Sequence, residues 1–371
     1  MPPDLIIRDG AIIAFRIFGI AHEIDLKQVE ALWASQARAA RRGRLTTTPP
    51  KAMAFGVPPV ALPLNPVTLE LEGASVAAEV TARVYDFGAI SFALRVPVKE
   101  LRWPHFMAQF GAVDRAVGQA SGTTIWADLL RHVRGLLAPA LVRPALSPLE
   151  EDYLIGLVHG FNEEMAAAAL LERIDLVPLL SGERRPLSEG ARQDLMRQRF
   201  SYYTDDLVVL TWARAFIYEP RGDTDVMDVL EVANARLLET RYYDELLDAE
   251  LPRMYDLINN AHRANVMFAP RRFSTLARRL YTLVAEVTEL TEKLDNALQA
   301  TGDVYLARIY AAALELFRVH AVGTAVDRKL AIIRDTYAAL HDEASSARGE
   351  LLEILVVVLI GLEIVLPFVH L

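Results

Sequence analysis

The chain has 371 residues, a formal net charge of −9 at pH 7 and no cysteine. This length is sufficient for two domains of ordinary size, and a hydrophobic content of 53% is typical of a globular protein rather than a disordered one. The acidic balance disfavours general affinity for nucleic acid, which needs a basic face. Without cysteine, disulfides, thiolate catalysis and cysteine-ligated zinc or iron–sulfur sites are excluded.

Residues 11–34 predict a strand followed by a helix. Residues 11–20 are almost entirely apolar, and Asp25 then stands where the N-cap of a helix is expected. Residues 45–66 are predicted to form a loop, because six prolines there interrupt regular structure.

Alternating apolar residues over 76–84 predict a half-buried strand, which returns over residues 89–96 after a turn at Asp86-Phe87-Gly88. Two predicted helices and one predicted strand follow, at residues 99–118, 125–137 and 153–161. The resulting order, β-α-β-β-α-β, is that of ferredoxin-like folds. We therefore predict an α+β fold with a ferredoxin-like or related antiparallel sheet in the N-terminal domain.

From residue 223 onward, the apolar spacing predicts helices almost throughout. One stretch has the 4-3-4-3-4-3 spacing of coiled-coil heptads, at Leu276, Leu280, Leu283, Val287, Leu290, Leu294 and Ala297. A turn at Thr301-Gly302-Asp303 lets a further helix, ending near residue 347, fold back. An intramolecular helical hairpin is therefore favoured over an intermolecular coiled coil. The predicted domains are an α+β domain at 1–222, a long-helix or coiled-coil region at 223–347 and an anchor at 348–371.

Residues 351–371 form an apolar block of 21 residues. As a helix it is roughly 31 Å long, which matches the ~30 Å hydrocarbon core of a bilayer. About a dozen Leu, Ile and Val side chains favour insertion by about 6 kcal/mol. An ionised Glu363 opposes insertion by about 2.5 kcal/mol. We therefore predict a transmembrane helix; the alternative is a buried oligomerisation helix in a soluble protein.

The predicted membrane or oligomer contacts of this helix are Glu353, Glu363 and His370. Glu363 lies near the middle of the block, so we expect it to be protonated, paired or turned toward another helix. His370 is seven residues further on, close to the same helix face. The lipid bilayer and further copies of the chain are the expected partners, together with a protein partner at the membrane.

The charges that flank the block predict its orientation. Four basic residues precede the block, namely Arg328, Lys329, Arg334 and Arg348. After Arg348, the only side chain that can carry a positive charge is His370. The positive-inside rule then places the bulk of the chain in the cytoplasm. The first residues lack the basic start and continuous apolar core of a secretory signal. We therefore expect a single-pass protein of the inner (cytoplasmic) membrane.

Two arginine clusters are candidate contacts for RNA or lipid phosphate. Arg38, Arg41, Arg42 and Arg44 precede the proline-rich loop, and a second cluster comprises Arg271, Arg272, Arg278 and Arg279. The acidic total charge favours a solvated surface for both. The first cluster also lacks the interleaved aromatic residues of a base-stacking surface, so nucleic acid is not an expected partner.

The sequence contains no complete catalytic, cofactor or metal motif. The eight histidines have no metal-ligand spacing. Asp86-Phe87-Gly88 has the sequence of the magnesium-binding motif of kinases, but the Gly-rich loop and the HRD-type catalytic loop that accompany this motif in kinases are absent from the sequence. The acidic pair Asp205-Asp206 is typical of a turn between strands. We predict a protein that is not an enzyme and holds no cofactor. A deep cleft lined by acids with perturbed pKa values would instead indicate an enzyme.

Several blocks of the chain resemble the family named for "required for meiotic nuclear division". They are VYDFGAISF (84–92), YYTDDLVVL (202–210), LEVANARLLETRYYDELLD (230–248), GDVYLARIY (302–310), DRKLAIIRDTYAALHDE (327–343) and LLEILVVVLIGLEIVL (351–366). The resemblance implies a single-pass membrane protein with a soluble α+β part and a helical stalk, and it supplies no catalytic residue. Its mitochondrial members are associated with the inner membrane and with support of translation.

These observations together favour a non-enzymatic membrane-anchored scaffold that forms oligomers. A membrane tether associated with RNA or the ribosome, acting through one of the arginine clusters, is the first alternative. An enzyme with an unrecognised site in a cleft is the second.

Overall fold

A computed structural model describes residues 5–35, 41–42, 53–55, 57–145, 147, 149–183, 185–222, 225–262, 278, 281–282, 284–285, 287–288, 298–300 and 304–369. Its strands are β1 (Ile6–Gly19), β2 (Ala21–Ile24), β3 (Arg41–Arg42), β4 (Met53–Phe55), β5 (Val60–Leu71), β6 (Ala74–Val84), β7 (Ala89–Arg102), β8 (Leu141–Pro144), β9 (Glu150–Phe161), β10 (Arg199–Phe200), β11 (Leu207–Leu210), β12 (Arg214–Tyr218) and β13 (Leu298–Ala300). Its helices are α1 (Leu26–Ala34), α2 (Trp103–Val117), α3 (Ile125–Leu137), α4 (Ala167–Arg173), α5 (Val177–Ser181), α6 (Glu189–Leu195), α7 (Asp225–His262), α8 (Val304–Leu316) and α9 (Val319–Val369).

Nine of the described strands form one sheet, in the order β10-β11-β12-β9-β1-β7-β6-β5-β3. Every neighbouring pair is antiparallel except β12 and β9, which are parallel. The four central strands, β9-β1-β7-β6, are those that the sequence pattern predicts. The predicted α+β class, with a large sheet followed by helices, is therefore confirmed.

Local signals explain where two of the early helices begin. The Asp25 carboxylate accepts hydrogen bonds from the backbone N–H of Lys27 at 2.9 Å and of Gln28 at 3.1 Å, as expected for an N-cap. Helix α2 begins at Trp103 rather than at residue 99, because β7 continues to Arg102. Pro104 then stands in the first turn, where its missing N–H costs nothing.

The predicted loop over residues 45–66 is wrong in two places, because residues 53–55 form strand β4 and residues 60–66 belong to strand β5. Pro63 and Pro66 are tolerated there for two reasons. Among the described residues, strand β3 pairs only with Val60 and Ala61, so no described strand on that side requires the proline N–H. A register shift between Leu64 and Val67 absorbs the remaining irregularity against β6.

Both faces of the sheet are covered. Alternate residues of β1 point to opposite sides, so Ile12 packs in one hydrophobic cluster and Ile13 in the other. Helices α1 to α5 contribute to the first cluster, which includes Trp33, Phe106 and Phe110. The first turns of α7 and the whole of α8 contribute to the second.

The chain divides into two compact units. The first comprises residues 1–239 and 293–320, and the second comprises residues 240–292 and 321–371. The second unit has its own small core, which includes Tyr243, Leu247 and Leu330. The predicted boundaries at residues 222 and 347 stay predictions. Helix α7 begins three residues after the first of them, and helix α9 runs across the second.

The single helix predicted to begin after the 301–303 turn is in fact two. Helix α8 ends at Leu316, and Arg318 takes a left-handed backbone conformation (φ 57°) before α9 begins. Of the seven heptad positions, only Val287 is among the described residues, and it is buried. The other six heptad positions and the turn at 301–303 lie outside the described residues.

Candidate functional site

The apolar segment, residues 351–371, continues helix α9 as far as Val369. Its described side chains are Val356 to Ile360, and each is between 50% and 67% exposed. Successive residues of a helix are about 100° apart, so five in a row occupy the whole circumference. This stretch is therefore apolar on every side and exposed, which a water-soluble surface rarely tolerates.

The residues predicted to accompany this segment are only partly described. Glu353 and Glu363 lie in the backbone of α9, and their side chains lie outside the described residues. His370 lies outside them entirely. The structure therefore brings none of the three into a described contact.

Most side chains of the two arginine clusters also lie outside the described residues. Arg41 and Arg42 form strand β3 and pair with β5, but their side chains are outside the description. Arg38 and Arg44 lie outside the described residues, as do Arg271, Arg272 and Arg279 of the second cluster.

Within the part of the chain that the structure describes with side chains, no single helix is both long and apolar enough to cross a membrane. Helices α8 and α9 up to Thr336, bent by 63°, reach that length and composition only as a pair. Apolar residues of this pair are already buried within the protein. Ile309 and Phe317 pack against the sheet, and Ile333 packs in the core of the second unit.

A buried ion network links the end of β6 to the first turns of α7; its members are Arg83, Tyr85, Asp228 and Glu231. The guanidinium of Arg83 donates to Asp228 and, at 2.9 Å, to Glu231. The Tyr85 hydroxyl donates to the other oxygen of Glu231 at 2.9 Å. Asp228 and Glu231 are three residues apart, so both carboxylates leave the same face of α7.

Burial and charge act in opposite directions on this network. Burial alone would lower the pKa of the Arg83 guanidinium, but the carboxylates of Glu231 and Asp228 outweigh it and raise that pKa. Burial and the Glu231 carboxylate both raise the pKa of the Tyr85 phenol. Arg83 is therefore charged and Tyr85 neutral at all ordinary pH values, which makes the network a fixed connection rather than a proton relay.

A second group of charges lies on the opposite face of the sheet. This charged row consists of Arg16 on β1, Glu150 and Asp152 on β9, Arg214 on β12 and Asp114 on α2. Arg16 donates to Glu150 at 2.9 Å and to the carbonyl of Val117 at 3.2 Å, and Arg214 donates to Asp114 at 2.5 Å. The row thus ties the end of α2 to three neighbouring strands.

Asp152 is the member of the charged row whose carboxyl has a raised pKa. It lies directly opposite Arg16 in the register of β9 and β1. Burial raises the pKa of its carboxyl, and the nearby Arg16 charge opposes that shift only in part. Among the described residues, no three His, Asp or Glu side chains lie close enough together to form a metal site.

The sequence patterns missed both charged groups. The available signal is the spacing of Asp228 and Glu231, three residues apart among the apolar residues of the first turns of α7, where two buried charges of one sign require a counter-charge. The strand pattern treats Arg83 as a solvent-facing position, because no local feature shows that α7 covers that face.

A cleft of about 870 Å³ lies between helices α4, α5 and α6. Its wall carries charged pairs, Arg192 with Asp175 at 3.1 Å and Arg197 with Asp194 at 3.5 Å. Asp152, the described carboxyl with a raised pKa, is not among the residues that line this cleft.

Comparison with known proteins identifies the family. A family model described as "Uncharacterized protein MJ0711, N-terminal domain" matches residues 9–224, more than half of the chain. The chain belongs to this MJ0711 N-terminal domain family. The matched region contains the nine-stranded sheet, apart from the first three residues of β1, together with helices α1 to α6.

The MJ0711 protein of Methanocaldococcus jannaschii is itself similar to the chain. The two are 26% identical over 192 residues, which cover 52% of this chain and 58% of the relative. The chain thus spans less than two thirds of the length of the curated relative that it matches. No solved structure matches the chain.

These findings overturn the resemblance to the meiotic nuclear division family. The family supported by the comparisons is that of MJ0711, which matches the α+β part of the chain. Four of the six blocks quoted for that resemblance lie beyond residue 224, and their described residues belong to helices α7 to α9. Alternating apolar and charged residues at helical spacing recur in many unrelated helices, so such blocks identify a structural pattern rather than a family.

Proposed function

We propose that this protein is a membrane-anchored, non-enzymatic scaffold. Residues 351–371 would insert in the bilayer, and the α+β unit would be displayed in the cytoplasm. The observation that carries the proposal is the exposure of Val356–Ile360 around the whole circumference of α9. In water, these side chains would leave a continuous apolar surface unburied, and hydrocarbon chains are the environment that suits such a surface.

The magnitudes favour insertion. The apolar residues of the segment contribute about 6 kcal/mol in favour, against about 2.5 kcal/mol for an ionised Glu363, which leaves about 3.5 kcal/mol. The basic residues before the segment, Arg328, Lys329 and Arg334, support an orientation with the α+β unit in the cytoplasm. The proposed partners are the bilayer, further copies of the chain and a protein partner at the membrane.

Two finer features of the fold belong to the same proposal. The antiparallel order β9-β1-β7-β6 supports a ferredoxin-like core, extended by β10 to β12 at one edge and by β5 and β3 at the other. Within the second unit, α7 and α9 contact each other through Lys329 and Asp244, which supports a pair of long helices. We propose this pair as the stalk between the scaffold and its anchor.

The test is extraction of membranes with alkaline carbonate, followed by flotation to separate inserted protein from aggregates. We expect the full chain to stay with the floating membranes. Val357→Arg combined with Leu359→Arg adds about 5 kcal/mol or more of insertion cost, which exceeds the calculated surplus. That variant should therefore move to the soluble or aggregated fraction.

The matched control exchanges the same two positions for other apolar residues, Val357→Leu with Leu359→Val, and should behave like the unmodified chain. Release of the unmodified chain by carbonate would contradict the anchor. Retention of the double arginine variant in floating membranes would contradict the assignment of this segment as the anchor.

A further inference from the structure

A tyrosine surface lies beside the edge strand β10 in the first unit; it consists of Tyr202, Tyr203, Tyr305 and Arg221. Tyr202 is 63% exposed and Tyr203 42% exposed. Their rings meet edge to face, with centroids 4.7 Å apart and planes at 85°. Tyr305, at the start of α8, approaches Tyr202 with a centroid distance of 5.4 Å. A contiguous cluster of exposed aromatic rings is a candidate interaction site.

The loop that carries the two exposed tyrosines is held in place by its own hydrogen bonds. The buried Asp206 carboxylate accepts from the backbone N–H of Tyr202 at 2.7 Å and of Tyr203 at 3.2 Å. The Ser201 hydroxyl donates to the Tyr203 carbonyl at 2.5 Å. The rings are therefore presented by an ordered loop, so little conformational entropy is lost when a ligand stacks on them.

A cation completes the surface. The guanidinium of Arg221 lies over the Tyr203 ring, 3.6 Å from its centroid. The Tyr203 hydroxyl and the carboxylates of Asp205 and Glu219 also lie near enough to influence this guanidinium. A planar guanidinium stacked on tyrosine can stack a second planar group on its outer side and bind a phosphate at its edge.

We propose that the tyrosine surface binds single-stranded nucleic acid, with one base stacked on Tyr202, a second on the Arg221–Tyr203 pair and a phosphate held by Arg221. Every base has an aromatic face, so the contact is tolerant of sequence. Duplex bases are stacked on each other and cannot reach the rings. This surface has the combination of aromatic residues and arginine that the Arg38–Arg44 cluster lacks, and it is independent of the anchor.

The charges define how this binding depends on salt. Asp205 and Glu219 offset the positive charge around Arg221, and the whole chain is acidic. Phosphate contacts are therefore few, and stacking supplies most of the affinity. For one phosphate contact on a single strand, the logarithm of the affinity falls with the logarithm of the salt concentration at a slope of about −0.7.

The experiment uses the full chain in mild detergent and fluorescein-labelled 20-mers of oligouridylate, oligodeoxythymidylate and a duplex, followed by fluorescence anisotropy. We expect saturable binding of both single strands, at least tenfold weaker binding of the duplex and a shallow salt slope. Tyr202→Ala should lower the affinity about fivefold or more, whereas Tyr202→Phe, which keeps the ring, should stay within about twofold. Arg221→Lys keeps the charge but not the planar group, so it should weaken binding as well.

Trp212→Ala is the matched control, because Trp212 is 65% exposed and lies in the turn between β11 and β12, outside the tyrosine surface. It should bind like the unmodified chain. The proposal is overturned if neither single strand binds, if the duplex binds equally well, or if Trp212→Ala weakens binding as much as Tyr202→Ala. Failure here leaves carbonate extraction unaffected, so the two proposals are tested separately.

Discussion

Glu231 of α7 receives hydrogen bonds at 2.9 Å from both Tyr85 and Arg83, one at each carboxylate oxygen. The side chain of Glu231 is only 5% exposed, so these hydrogen bonds from the sheet take the place of water around the carboxylate. The first turns of α7 are thus fastened to the sheet by charge as well as by apolar packing. This arrangement predicts how the protein responds when a single member is removed.

Arg83→Met should destabilise the first unit by about 3–5 kcal/mol, because it removes the guanidinium that pairs with two buried carboxylates, Asp228 and Glu231. The measurement is the urea dependence of unfolding, with hydrogen exchange in strands β6 and β7 as the readout. The triple variant Arg83→Met, Asp228→Asn, Glu231→Gln should recover most of that loss, since no uncompensated charge remains. Arg131→Met serves as control, because Arg131 and Asp128 form an exposed pair whose contribution is below about 1 kcal/mol. An equal loss in both single variants would contradict this account.

Gly88→Ala should destabilise the hairpin between β6 and β7 by more than about 3 kcal/mol. Gly88 has φ +93°, and an added Cβ would lie 1.9 Å from the carbonyl oxygen of Ala21. Gly73 has a similar φ of +89° with nothing within 4 Å of the added atom, so Gly73→Ala isolates the backbone strain, about 1–2 kcal/mol. The readout is the shift of the thermal midpoint for each variant. If the two shifts are equal, the close approach to Ala21 contributes nothing.

Lys329 should make the second unit sensitive to alkaline pH. Its ammonium group donates to Asp244 and Asp248, each at 2.6 Å. Burial by itself lowers the pKa of Lys329, but these two hydrogen bonds outweigh it, so the folded pKa is raised. The stabilisation is complete below the ordinary lysine pKa of about 10.4 and is lost as the pH rises through the folded value.

Lys329→Met should therefore cost about 1 kcal/mol at neutral pH, after allowance for solvent screening, and should flatten the decline of the thermal midpoint above pH 10. Lys27 is exposed on α1 and makes no side-chain hydrogen bond or ion pair among the described residues, so Lys27→Met should leave both the midpoint and its pH dependence unchanged. A parallel alkaline decline in the unmodified chain and in Lys329→Met would rule out this role.

Local patterns in the sequence predicted the centre of the fold well. Alternation over 76–84 and the turn at Asp86-Phe87-Gly88 are short-range features, and the structure has β6, the turn and β7 where they indicate. The Asp25 cap is local in the same sense. The sequence pattern does not predict strand β5 over residues 60–66. Proline is compatible with a strand where no neighbouring strand requires its N–H, and the sequence alone does not show which positions these are.

Long-range relationships account for what the sequence did not reveal. Nothing near Arg83 shows that α7, some 145 residues later in the chain, covers that face of the sheet. Tyr202 and Tyr305 likewise come together only through the placement of α8. The two exposed tyrosines follow one another in the sequence, but their ordered loop and their contact with Arg221 are tertiary features.

The buried ion network also affects the order of folding. Arg83 and Glu231 are 148 residues apart, so a ribosome adding 5–20 residues per second completes Arg83 about 7 to 30 s before it reaches its acidic partner. During that interval the central strands can pair, while the face that α7 will cover remains open with a cation on it. Closure of this face is therefore a late event in synthesis, and a nascent chain stalled before residue 231 would display a half-finished sheet to chaperones.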